Sequence, residues 1–457
     1  MAKLSNISGF PEWLPDQKLV ENRIIEQVSR IYSSFGYTPI ETPAVELLST
    51  LSSKGVVSKE IFALHRALED KALEDKALED PSDKASTKEA QLALHFDLTV
   101  PFARYIAQHN GELTFPFRRY QVQKVWRGDR PQRGRFREFY QFDLDVVGRD
   151  TLPICLEAEI LSAFDRAWCA IGVPGHRIRV NNRKVLLGFY SSLGLAEEQR
   201  RAAITVVDKL DKIGVEGVRN ELLKSVQVDV AVAEKIVGLC SLKIPAAEAK
   251  SMFDGLAISD PLFITGREEL LGLFSLIPTE ELARMELDLS LARGLDYYTG
   301  VIFETYFPQY PEFGTVGAGG RYDDLASQFC NQKFPGVGAS IGLTRLLDLI
   351  FTNKLLPIEH KTVSQVLVAV YDENQRPACI AAANSLRAVG ANVEVFTATP
   401  KLGKQIEYAE RKGIRYVVFV NPEDSTVEVK DLVQRQQAGV ADLAEWWRGV
   451  AGDCGSQ

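Results

Sequence analysis

The chain has 457 residues, 46% of them hydrophobic and 25% charged, which is ordinary for a globular protein of two or three domains with a large core. Its net charge of −8 excludes a surface blanketed in positive charge, so contact with nucleic acid would need a local basic patch. Six scattered cysteines without a Cys-x-x-Cys pair argue against a zinc site or a disulfide framework, and the lack of a signal-peptide pattern or a bilayer-length apolar run points to the cytoplasm.

After a turn-rich lead-in around Trp13, apolar residues at Leu19, Ile24, Val28 and Ile31 predict an amphipathic helix over 16–35, with Asp16 as its N-cap. The next stretch, YTPIETPAVEL (37–47), reads as extended, and its two prolines place it at a sheet edge or an interface. Residues 67–80 then repeat ALED at a step of five. A helix turns ~140° in five residues, so Leu68, Leu73 and Leu78 cannot share one buried stripe. With PSDKASTKEA behind it, the segment 67–90 is expected to be a solvated low-complexity insertion. LALHFDLTVPFARYI (92–106) alternates and then turns helical after Pro101. On a strand, Asp97 and Thr99 would point to one side as two acceptors suited to an ammonium group, with Leu94, Phe96 and Leu98 toward the core.

The most charged stretch follows. Arg118, Arg119, Lys124, Arg127, Arg130, Arg133, Arg135 and Arg137 are opposed only by Asp129. Tyr120–Trp126 and Phe136–Val147 alternate as strands, and Gly128, Pro131 and Gly134 between them are turn residues. Strand, arginine-loaded loop, strand is a hairpin fit to hold an anion, since guanidinium forks match phosphate geometry; a merely solvated basic hairpin is the plainer alternative. Residues 154–172 form a strong amphipathic pattern ending at Gly172, and HRIRVNNRKVLLGFY runs from strand into helix. From about 195 to 285 the period is helical throughout, which reads as a helical module inserted between strands. Strand-like writing returns over 286–350. It includes glycine-rich loops at Gly317, Gly319 and Gly320, and at Gly336, Gly338 and Gly342 ahead of a helix carrying Arg345. Neither fits the phosphate-loop or dinucleotide-binding pattern. After a linker over 354–362, the rest alternates β-α-β-α-β as a separate small α/β domain, in which 401–415 carries five basic residues against two acidic ones.

Four stretches in this order, HFDLTVPFAR (95–104), VWRGDRPQRGRFREFYQFDLDVVG (125–148), ARGLDYYTGVIFE (292–304) and GVGASIGLTRLLDL (336–349), resemble the histidyl-tRNA synthetases, which are class II aminoacyl-tRNA synthetases. TPAVE around Pro43 is similar to the class's first motif, at its dimer interface. The resemblance implies an α+β fold: an antiparallel sheet flanked by helices in a catalytic domain over 1–353, and an α/β anticodon-binding domain over 363–457. It implies a homodimer that uses ATP, with magnesium, to convert histidine to histidyl-adenylate and then charges the histidine-accepting tRNA. By the same resemblance Arg127 grips the α-phosphate, Phe139 stacks on adenine and Arg345 holds the γ-phosphate. Arg293 would act near the α-phosphate and the histidine carboxylate. Asp97, Thr99 and Gln141 would accept from the α-ammonium, Asp145 and Tyr298 would meet the imidazole nitrogens, and Tyr297 would line the pocket. No metal-ligand motif accompanies these residues. A non-catalytic regulatory paralogue would lack the catalytic arginines and the C-terminal domain, and a simple nucleic-acid-binding module would explain the hairpin alone.

Overall fold

A computed structural model describes residues 6–52, 60–65, 91–292, 298–358, 361–424 and 426–454. The ALED insertion, Arg293 and Tyr297 lie outside the described residues. Two compact units emerge, one built from residues up to Pro11 and from Ile24 to Leu356, the other from Glu12–Arg23 and from Pro357 onward.

The first helix, α1 (Pro15–Ser34), buries Ile24, Val28 and Tyr32 at four-residue spacing, as the sequence pattern requires. It starts one residue before the expected cap, so Asp16 lies in its first turn, where the carboxylate accepts from the Gln17 N–H at 2.9 Å. The larger unit is organised around a nine-stranded sheet. In chain order its strands are β1 (Thr38–Pro39), β5 (Phe117–Trp126), β6 (Glu138–Val147), β7 (Arg177–Asn182), β8 (Lys243–Pro245), β9 (Met285–Asp288), β10 (Val301–Tyr306), β11 (Gly317–Tyr322) and β12 (Gly336–Gly342). Their spatial order is β1-β5-β6-β12-β11-β10-β7-β9-β8. Only β1–β5 and β7–β9 pair in parallel. A small sheet joins β2 (Val45–Leu47), β4 (Leu92–Leu94) and β3 (Ala63–Leu64).

Three expectations are corrected here. The strand before Asp97 ends at Leu94, and α2 (Thr99–His109) already begins at Thr99, because the Asp97 carboxylate accepts from the Val100 N–H at 3.1 Å and starts the helix. Asp97 and Thr99 are therefore not strand neighbours, and in this stretch Ala93, His95 and Leu98 are buried rather than Leu94 and Phe96. The glycine-rich stretches are strands β11 and β12 within the sheet, not loops. Their missing side chains make room for rings: a Cβ on Gly317 would lie 2.8 Å from both Phe164 and Trp168, and one on Gly319 2.5 Å from Phe303. Nor do the basic residues of the hairpin form one patch. Arg118 forks onto Glu159 at 2.7 and 3.1 Å, Lys124 meets Glu138 at 2.6 Å, and Arg119 is fully buried.

Two layers cover the sheet. Tyr32 of α1 packs edge-on to Phe142, and α3 (Ile154–Ile171) sets Phe164 and Trp168 against the same side. Gly172 closes α3 at φ 83°, which suits glycine. On the other side lies α2, whose Phe102 faces Arg119. Between Leu195 and Met285 the chain is mainly helical, with helices at Glu197–Val207, Leu210–Glu221, Val230–Cys240 and Pro261–Ser275. The smaller unit has a five-stranded sheet in the order β14 (Val393–Val395), β13 (Val366–Val368), β15 (Tyr416–Val420), β16 (Val427–Asp431) and β17 (Gln436–Val440). Val366, Val368, Leu386, Val418 and Trp447 are among its core residues. Strand β17 was not evident from the sequence pattern. No helix among the described residues is long and apolar enough to cross a membrane.

Candidate active site

The hairpin register builds the site. Around a turn in which Gln132 and Arg135 exchange backbone hydrogen bonds, with Gly134 at φ 67°, β5 and β6 pair Gln123 with Gln141, Gln121 with Asp143 and Arg119 with Asp145. Residues paired across antiparallel strands share a face. Strand β12 continues that face, setting Gly342, Ser340 and Gly338 beside Gln141, Asp143 and Asp145. On β11, Ala318 and Gly320 follow beside Ser340 and Gly338. The floor is thus polar at the hairpin and nearly bare along β11 and β12, where a ligand can approach the backbone.

Above the floor is a cavity of about 360 Å³ whose lining brings together Arg127, Phe139, Gln141 and Arg345, with Asp129, Gly134 and Ser340 among their neighbours. Arg127 donates through Nε to the Phe96 carbonyl at 2.9 Å, and its guanidinium carbon lies 5.2 Å from the Phe139 ring centre. Arg345, near the start of α4 (Leu343–Asn353), donates to the carbonyls of Gly134 and Thr315, both at 2.6 Å. Gly134 N–H in turn donates to Asp348 at 3.1 Å, so the tip of the arginine loop is fastened to α4 from both sides. Gln141 donates to Ser340 Oγ at 3.0 Å, while its buried Oε1 has no hydrogen-bond partner among the described residues. A buried, unsatisfied acceptor at a cavity wall is suited to a ligand's N–H.

Asp145 sits two pairs along the floor from Gln141. It is 4% exposed, its Oδ2 lies 2.6 Å from Arg119 Nη2, and its Oδ1 accepts from Tyr322 Oη at 2.8 Å. Burial pushes its carboxyl up from the usual range, against the Arg119 charge and the Tyr322 bond. A Cβ on Gly338 would lie 1.9 Å from Asp145 Oδ1, so only glycine leaves this carboxylate its place. Tyr298 stands over Gly320, whose Cβ would come within 2.8 Å of its ring. Asp97, at the start of α2, is also pushed up by burial, with the Val100 N–H and the Arg127 charge opposing the shift.

The described members of the predicted set therefore fall into three groups. Arg127, Phe139, Gln141 and Arg345 line one cavity, Asp145 and Tyr298 belong to the floor beside it, and Asp97 and Thr99 open α2 next to the Arg127 anchor at Phe96. Sequence reasoning gave no site role to Arg119, Asp143, Tyr322 and Ser340, although it had marked Gly338 among the glycines where a ligand could approach the backbone. The first two were legible in principle, since a turn between Gln132 and Arg135 sets them opposite Asp145 and Gln121. Metal-ligand geometry occurs among the described residues at Asp165, Cys169 and His176. Arg284 occupies that group, donating to both oxygens of Asp165 at 2.5 to 3.1 Å, and a cation there disfavours a metal ion.

Comparison with known proteins gives the family. The family model described as Histidyl-tRNA synthetase matches residues 9–346, and that described as Anticodon binding domain matches residues 365–448. The chain is 41% identical to the histidine–tRNA ligase of Thermobifida fusca over 441 residues, covering 96% of this chain and 97% of that one. It is likewise 41% identical to the histidine–tRNA ligase of Bifidobacterium longum, covering 98% and 97%. The crystal structure of histidyl-tRNA synthetase from Nostoc sp. PCC 7120 matches with a TM-score of 0.84 at 35% identity, over 98% of this chain and 100% of that one. The chain belongs to the histidyl-tRNA synthetase family.

Proposed function

We propose that this cavity and its floor are where the chain performs its family's reaction, the ATP-dependent joining of histidine to tRNA. The observation that carries this reading is the meeting, on one sheet face, of two arginines and an aromatic ring at a cavity with an acceptor-rich floor beside it. Phosphoryl transfer asks the protein mainly for positioning and charge neutralisation. Phe139 supports the adenine, Arg127 takes the α-phosphate as charge builds on it, and Arg345 takes the γ-phosphate. The orphaned Gln141 Oε1, with Asp97 and Thr99, accepts from the α-ammonium; Asp145 and Tyr298 meet the imidazole, and Tyr297 is assigned to the same pocket by the family resemblance. A site bonding both imidazole nitrogens is left with unpaired buried groups by any other side chain, which discriminates strongly. The histidine carboxylate then attacks the α-phosphorus and pyrophosphate leaves, with Arg293 steadying the charge. The terminal ribose hydroxyl of the tRNA attacks the resulting acyl carbon and releases AMP.

Magnesium fits this cavity chiefly through the nucleotide. Asp129 is the carboxylate among its described lining residues, and a magnesium ion typically takes one or two carboxylates alongside substrate phosphates. When bound, it would neutralise phosphate charge. The catalytic domain is assigned to 1–353, with its helical insertion at about 195–285, and the anticodon-binding domain to 363–457. In the latter a cavity wall of Lys404, Arg411 and Lys412 with Glu407, beside Tyr408 and Phe396, suits an RNA loop. A homodimer, working in the cytoplasm, completes the assignment. Its support is an exposed apolar face on the small sheet, where Val45, Leu47, Leu64 and Leu92 are each more than a third exposed. Light scattering should give twice the chain mass, and Leu92→Lys should shift it toward the single chain. Histidine-dependent exchange of pyrophosphate into ATP tests the activation step; its absence would overturn the reading.

A further inference from the structure

One arginine of the floor is unlike the others of the hairpin. Arg119 is 0% exposed and cannot touch a ligand, yet it stands directly across the strand pair from Asp145. Its Nη2 is 2.6 Å from Asp145 Oδ2 and 3.9 Å from Asp143 Oδ2, its Nη1 donates to Gln121 Oε1 at 3.2 Å, and its charge lies over the Phe102 ring at 4.2 Å. One end of one guanidinium thus faces two carboxylates. Asp143 is 2% exposed, and its Oδ1 has no hydrogen-bond partner among the described residues. An ionised oxygen in that position is costly, so the arrangement favours a protonated Asp143 and an Arg119 committed to Asp145.

Building on the assignment of Asp145 to the imidazole, we propose that Arg119 is a positioning residue for histidine recognition that keeps Asp145 ionised and aimed, and that Asp143 competes for the same guanidinium end, so its charge state sets how firmly Asp145 is held. The groups facing Asp143 are few: Arg119 from β5, Asp145 from its own strand, Ser340 from β12, Asp97 ahead of α2, and Tyr32 of α1 through the sheet. Burial is the leading cause of the Asp143 carboxyl being pushed up to about 7, with the Arg119 charge and a hydrogen bond from Ser340 opposing, and Asp145 and Asp97 adding to it. The competition therefore turns on within the neutral range. Without Arg119, Asp145 would be a buried carboxylate with no cation; it would take up a proton and lose the charge that makes it a strong acceptor.

The test uses the full chain in histidine-dependent pyrophosphate exchange, with KM for histidine and for ATP measured from roughly pH 6 to pH 8.5. Arg119→Met should raise the KM for histidine roughly 10- to 100-fold while that for ATP stays nearly constant, and Arg119→Lys should recover part of the loss. Dividing the Asp143→Asn value by that of the wild type cancels the titration of histidine itself. This ratio should change several-fold across the range, because only the wild type gains a charge there. An unchanged KM for histidine in folded Arg119→Met overturns the positioning role. If that variant does not fold, the Asp143→Asn ratio decides, and a ratio constant with pH overturns the proposal. Asp145→Asn separates the two levels. Should it leave histidine binding intact, the assignment of the pocket fails; should it alone weaken histidine binding, only the positioning role fails.

Discussion

Gly338→Ala places the smallest possible perturbation at the recognition floor. The added methyl would lie 1.9 Å from Asp145 Oδ1, 2.6 Å from its Cγ and 3.0 Å from the Leu144 carbonyl. Gly338 is not among the residues of positive φ, so alanine meets no backbone penalty and the whole effect is this contact. The carboxylate must swing away, which breaks its bond to Tyr322 Oη and tilts it off Arg119. Overpacking of this kind costs about 1–3 kcal/mol of stability. A hydrogen bond to a charged acceptor is worth about 1.5–3 kcal/mol, so loss of the imidazole contact should raise the KM for histidine roughly 10- to 100-fold. Phe139 and Arg345 line the cavity beside this part of the floor, so the KM for ATP should change by no more than about twofold. Both constants come from pyrophosphate exchange at varied histidine and ATP, with a thermal melt to show that the variant is folded. Gly238→Ala, whose methyl meets nothing within 4 Å, is the control. A folded Gly338→Ala with an unchanged KM for histidine would refute the link from Gly338 through Asp145 to the substrate.

Other outcomes follow from the same account. Arg293→Ala should nearly abolish adenylate formation while the melting temperature holds; exchange at the wild-type rate would count against its role. Asp145→Ala should weaken histidine binding far more than ATP binding, and equal losses by titration would contradict that division. Asp143 gives a pH signature in stability. Its carboxyl is raised to about 7 by burial, so the folded chain holds a proton that the unfolded chain releases near pH 4. That contribution is full at low pH and is lost as pH rises from about 4 to about 7. Asp143→Asn has no such loss, so its stability relative to the wild type should rise between about pH 5 and pH 8 in chemical denaturation. A flat or falling difference would contradict the assignment.

Much of the site was legible because it is local. The hairpin announced itself by alternation and turn residues, and its outgoing strand carried Phe139, Gln141 and Asp145 at the even spacings of one sheet face. What escaped depended on remote neighbours. The glycines of β11 looked like loop residues because the rings that occupy their missing side chains, Phe164, Phe303 and Tyr298, come from other parts of the chain. Asp97 and Thr99 were given a strand's geometry because LALHF alternates, although the Asp97 carboxylate competes successfully for the backbone and starts α2. The charge of the hairpin was a true signal read too uniformly. Its count could not say that Arg118 belongs to Glu159, that Arg119 is buried within the floor, and that Arg127 is the hairpin arginine that meets the Phe139 ring.

The central claim is that this one cavity activates histidine with ATP for transfer to tRNA. Pyrophosphate exchange measured with each amino acid in turn, followed by charging of the histidine-accepting tRNA, tests it most directly. The account predicts exchange with histidine alone and subsequent aminoacylation of that tRNA. Exchange that is absent, or equally fast with another amino acid, would contradict it.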